Sequence, residues 1–151
     1  MFTVELSVVK LEAVTSADVI RALASRLLAA GQVAASFERA ALAREKRSPT
    51  GLPFDPWPVA LPHAEPEHVL TPAIAMATLA SPVRFRQMGS PAIALDASIV
   101  VMPAFNEKAQ AGASLARLVA LLQDGAVREA LVEAATALDL LRVLSESWDE
   151  P

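Results

Sequence analysis

The chain of 151 residues contains no cysteine, which excludes disulfides, thiolate metal sites and a cysteine nucleophile. Its five glycines are scattered singly, so no glycine-rich loop is present to cradle the phosphates of a nucleotide. No Gly-x-Ser-x-Gly elbow marks a serine nucleophile. Long apolar runs are missing as well. The longest stretch free of charge and histidine, residues 69–83, contains Pro72 and Pro82 and falls short of the roughly 20 apolar residues a membrane span needs. The opening "MFTVELSVVK" has no basic segment leading into an apolar core, so the expectation is no secretion signal and a cytoplasmic address. Net charge is −4 without a basic stripe, which points away from nucleic acid and towards small-molecule or protein chemistry. Histidine occurs only twice, at His63 and His68.

What is present is apolar. At 54%, the apolar fraction exceeds the ~45–50% of ordinary soluble domains, enough for one domain over 1–151 with a real core. "TVELSVVKLEAV" is rich in β-branched residues and reads as a strand or extended arm. "TSADVIRALASRLLAAG" predicts a helix with Ser16 as cap, a stripe of Val19, Ile20, Leu23 and Leu27, and Gly31 as stop. A second helix, about 33–46, sets Phe37 and Ala41 on one side, and the two should form a hairpin. "SPTGLPFDPWP" packs four prolines into a long ordered loop. The unbroken apolar runs at 72–79 and 98–105 read as strands buried on both faces. Between them, "PVRFRQMGSPAI" alternates and turns at Gly89-Ser90-Pro91, suggesting edge strands or a hairpin. Helices are expected around 111–125 and 126–146, the latter broken near Ala135-Thr136, before a frayed tail "SWDEP". The predicted fold is α/β: a mixed sheet flanked by helices, with some antiparallel pairing.

The two histidines lie in "VALPHAEPEHV", five residues apart, with Pro66 between them. A zinc site commonly sets histidines four apart on a helix and needs three or four ligands; Glu65 and Glu67 could complete one, but nothing fixes their geometry. Both rings could equally be idle loop residues. Yet Pro62 forces Leu61 to be extended, which stands His63 at a fixed place on a sheet rim, where rigid scaffolds present reactive groups. With no serine or cysteine partner, the chemistry open to it is attack by imidazole itself.

"REKRSPTGLPFDPWPVALPHAEPEHV" resembles the active-site region of the EIIA components of the phosphoenolpyruvate-dependent sugar phosphotransferase system, in the fructose/mannitol/galactitol/nitrogen superfamily (type 2). The elements are Arg44-Glu45, Thr50-Gly51 and Ala60-Leu61-Pro62-His63. The second histidine, His68, and the downstream "PVRFRQMGSP" look like the galactitol-type branch. The similarity runs over about residues 5–146. One departure is "FNEKAQAGAS", which lacks the additional histidine of mannitol-type chains.

The resemblance implies a mixed five-stranded sheet flanked by helices and a phosphotransferase that needs no cofactor or metal. His63 would be phosphorylated by the carrier HPr, or by a related domain, and would pass the group to a cysteine of EIIB, serving sugar uptake through a membrane EIIC. Arg44 would face the phosphate, its planar fork matching phosphate oxygens. His68 would bond the phosphoryl group or the first ring, and Thr50 would shape the loop or bond the first histidine. Leu61, Phe54 and Met102 are candidates for an apolar rim, and Trp57 for a docking rim or a buried structural place. Two rivals stand beside this reading: a nitrogen-type regulator that senses its own phosphorylation, and an interaction domain that has kept the fold without the activity.

Overall fold

The computed structural model describes residues 1–149. Among these residues ten strands and α-helices follow in order: β1 (Ser7–Leu11), α1 (Ser16–Ala29), α2 (Phe37–Arg47), β2 (Gly51–Leu52), β3 (Val59–Ala60), β4 (Ala73–Gln87), β5 (Ser90–Ala104), α3 (Lys108–Gln123), α4 (Gly125–Glu133) and α5 (Ala137–Asp149). The strands form one five-stranded mixed sheet, as predicted. β4 pairs parallel with β1 and antiparallel with β5, and β3 runs parallel to β5 while pairing antiparallel with β2.

The β4–β5 pair is the spine of the molecule. The apolar run at 72–79 and the alternating stretch after it are one strand, not two, and the same holds for 90–97 and 98–104. Pro82, which suggested a break, sits in a register irregularity between Thr78 and Val83, where a missing N–H costs the ladder little. The turn is one residue earlier than expected, at Met88-Gly89, closed by the Gln87–Ser90 pair, with Gly89 in the left-handed region at φ 75°.

Alternation along β4 separates two cores. Ala73, Ala75 and Ala77 belong to the cluster under α1 and α2, together with Ile20, Leu23 and Phe37. Ile74 and Met76 belong to the cluster under α3–α5, with Leu118, Leu122, Leu140 and Leu144. Small residues on one side and large ones on the other let two layers of helices cover the same sheet.

The helices depart modestly from expectation. Thr15, not Ser16, caps α1: its side chain accepts from the Asp18 N–H while the Asp18 carboxylate accepts from the Thr15 N–H. Residues 33–36 do not join α2, because Val33 is taken by a bridge to Val69. The break between α4 and α5 falls at 134–136, as predicted. The tail is less frayed than predicted: Ser147–Asp149 complete α5, and Trp148 packs against Phe2 and Phe105. Glu150 and Pro151 lie outside the described residues. Among the described residues, no helix is long and apolar enough to cross a membrane.

Candidate functional site

The proline-rich loop is fixed from behind by an arginine the sequence did not single out. Arg128 is 4% exposed and lies over the Phe54 ring at 4.9 Å. Its Nε donates to the Pro56 carbonyl at 3.2 Å, and Nη1 donates to the Leu122 and Gln123 carbonyls at 2.8 Å each, the free acceptors at the end of α3. Trp57 is half-buried and packs on the core under α3–α5.

At the other end of that loop, the Arg44-Glu45 and Thr50-Gly51 elements set the position of His63. Thr50 is 1% exposed, and its hydroxyl donates to Glu45 Oε2 at 2.8 Å and accepts the Leu61 N–H at 3.1 Å. The Thr50 N–H donates to Glu45 Oε1 at 3.1 Å. Burial pushes the Glu45 carboxyl above its ordinary range, opposed by these Thr50 hydrogen bonds and by Arg44. Gly51 is required by a close approach: a Cβ there would meet the Arg86 carbonyl oxygen of β4 at 2.5 Å.

Leu61 is thus held by its N–H, and its carbonyl holds His63: Nδ1 lies 2.7 Å from the Leu61 oxygen. A carbonyl can only accept, so Nδ1 carries the proton and Nε2 carries the lone pair. Burial lowers the His63 pKa from its ordinary value near 6.5; Arg44 lowers it too, while the Leu61 bond and Glu65 act in the opposite sense. The ring is therefore neutral at pH 7.

His63 opens onto a cleft of about 210 Å³ lined also by Arg44, Glu65, Pro103, Phe105 and Leu115. Arg44 Nε donates to Glu65 Oε1 at 3.3 Å. The apolar rim is Pro103, Phe105 and Leu115. Leu61 and Met102 are fully buried, and Phe54 is engaged by Arg128. His68 does not line this cleft. Its Nδ1 shares a 2.7 Å hydrogen bond with Ser36 Oγ, which ties the turn at 66–68 to the start of α2, and its Nε2 is 3.9 Å from Glu67. Among the described residues, no three histidine, aspartate or glutamate side chains are grouped so as to hold a metal ion.

A partly buried imidazole with one nitrogen locked, lining a small cleft together with an arginine, suits a nucleophile towards an anionic electrophile. The family model for the phosphoenolpyruvate-dependent sugar phosphotransferase system, EIIA 2, matches residues 1–147. The chain belongs to this EIIA family. Solved structures agree on the fold. The mannitol IIA of Escherichia coli is 24% identical, with TM-score 0.78 over 95% of this chain and 99% of that one. A structure of the E. coli mannitol IIA with phosphorylated mannitol IIB matches at 24% identity and TM-score 0.78, over 97% and 98% of the two chains. The nitrogen regulatory protein IIA-Ntr of Neisseria meningitidis is 22% identical, with TM-score 0.70 and 94% coverage of both chains. No curated protein sequence matches the chain.

Two residues of this EIIA chain's cleft region escaped the sequence reading in the roles they take. Glu65 was visible only as a possible metal ligand, and Glu45 only as part of a motif. Nothing in the order of residues says that one carboxylate meets Arg44 and the other Thr50.

Proposed function

We propose that this EIIA chain is a phosphoryl carrier of the galactitol-like branch, accepting phosphate from HPr on His63 and passing it to a cysteine of an EIIB partner during sugar uptake. The observation that carries the reading is the Leu61 carbonyl on Nδ1, which leaves Nε2 unprotonated on a ring that lines the same cleft as Arg44.

In the accepting step the Nε2 lone pair attacks phosphorus, forming the new P–N bond as the donor's P–N bond breaks and its electron pair returns to the donor imidazole. Nδ1 keeps its proton throughout, and the Leu61 carbonyl stabilises the positive charge that the ring acquires. Arg44 offers a guanidinium to the transferring oxygens, whose charge is spread over the equatorial positions in a loose transition state. In the donating step a thiolate of EIIB attacks phosphorus, and the P–N electron pair returns to Nε2. No nucleotide or metal enters either step. His68 acts indirectly, through Ser36, by holding the turn that follows His63. The mannitol IIA–phosphorylated IIB complex supports an EIIB partner for this chain, and the apolar rim of Pro103, Phe105 and Leu115 is suited to excluding water beneath a docked protein.

Incubation with phosphoenolpyruvate, Enzyme I and HPr tests the reading. Acid-labile phosphate is expected on the wild type and not on His63→Ala. Labelling that persists in His63→Ala overturns it.

A further inference from the structure

The arginine offered to the phosphoryl group is already occupied. Arg44 donates to Glu65 in the resting chain, and the two partners are unequal: the Arg44 side chain is 26% exposed and that of Glu65 54%. Glu65 is the half of the pair that can leave. It lines two cavities, the His63 cleft and an adjoining open depression formed with Pro66, Glu67, Asn106 and Lys108. Lys108 stands in the first turn of α3 and is exposed, and its side chain makes no hydrogen bond or ion pair to another described residue.

We propose that Glu65 is a two-position latch: it neutralises Arg44 while His63 is free, and it turns out to Lys108 when the phosphoryl group claims the guanidinium. The inference rests on the phosphohistidine reading above. A dianion and a carboxylate cannot share one guanidinium without repulsion, and the more exposed carboxylate moves. Two consequences follow. In the resting state Arg44 is screened, so the cleft does not hold stray anions. In the phosphorylated state the cost of displacing Glu65 is added to the phospho-form, which keeps the group easy to hand on. Lys108 offsets part of that cost. The Coulomb influence of Glu65 on the His63 ring agrees with this proximity.

The test is the equilibrium of phosphoryl exchange with HPr, measured as the phosphorylated fraction of this chain at a fixed ratio of phospho-HPr to HPr. Glu65→Gln is expected to shift it towards the phospho-form by about three- to tenfold, the effect of one partly screened charge a few ångströms away, and to slow transfer onward. Lys108→Gln is expected to lower the phosphorylated fraction in the wild type and to have no effect in the Glu65→Gln background. An unchanged equilibrium in Glu65→Gln overturns the latch, as does a Lys108→Gln effect that persists without Glu65, because Lys108 would then act on the phosphate directly. Either result, with His63 still labelled, leaves the carrier reading standing. Absence of label on the wild type removes both.

Discussion

Thr50→Val isolates the connection that sets His63 in place. Valine keeps the shape and removes one oxygen, which donates to Glu45 at 2.8 Å and accepts from Leu61 at 3.1 Å. The bond to an ionised carboxylate contributes about 1.5–3 kcal/mol, and the Leu61 bond less than a full neutral one. That N–H also lies 3.3 Å from the Thr50 carbonyl and keeps a partner. A loss of about 2–3 kcal/mol is expected in urea unfolding with unchanged m, and a fall of roughly 4–12 °C in the thermal midpoint. Thr50→Ser, which keeps the hydroxyl, should lose much less. The pH dependence sharpens the test. Because burial raises the folded pKa of Glu45, the folded chain holds that proton where the unfolded chain, near 4.5, has released it. The contribution of Glu45 to stability is therefore fully present below the unfolded pKa and is lost as pH rises through the folded one. Removing a hydrogen bond that favours the ionised form pushes the folded pKa further up. The deficit of Thr50→Val should accordingly be larger near pH 7 than below pH 4.5. A loss under about 0.5 kcal/mol, or one independent of pH, would refute the claim that this hydroxyl ties Glu45 to Leu61.

Three further outcomes follow from the geometry. Gly51→Ala should destabilise by about 1–3 kcal/mol in urea unfolding, because the Arg86 carbonyl is backbone and cannot step aside; a neutral result contradicts the close approach. Arg128→Met leaves the carbonyls of Pro56, Leu122 and Gln123 without their donor and should cost about 2–4 kcal/mol by the same measurement, whereas a loss under about 0.5 kcal/mol would mean that the loop is held by other contacts. His63, with its pKa lowered by burial and then by Arg44, should stay neutral as pH falls past 6.5. Its contribution to stability is present above 6.5 and lost as pH falls towards the folded pKa. Arg44→Met should raise that pKa in an NMR titration of the ring, and a downward move contradicts the stated cause.

Much of the architecture is visible in the order of residues, because hydrophobic period and turn chemistry are local. The stripe of Val19, Ile20, Leu23 and Leu27 becomes the buried face of α1, and Gly31 takes the left-handed conformation that ends it. The separation of α4 from α5 shows as the Ala135-Thr136 interruption. The length of β4 does not show, because Pro82 reads as a stop unless the bulge beside it is known. His63 and Arg44 could be placed by motif, and they do share a cleft. His68 could be named but not aimed: its ring belongs to Ser36, 32 positions earlier, through a contact that only the folded chain makes. Arg128, Glu45 and Glu65 take their roles from partners 72, 5 and 21 positions away, and no local pattern announces such pairs.

A nitrogen-15 NMR spectrum of the two imidazoles, before and after phosphorylation, measures the central claim directly, since His63 and His68 are the only rings present. The expected result is a resting His63 with its proton on Nδ1, and a phosphorylated chain in which phosphorus couples to His63 Nε2 while the Nδ1 proton remains. A resting proton on Nε2, or phosphorus on Nδ1 or on His68, would contradict it.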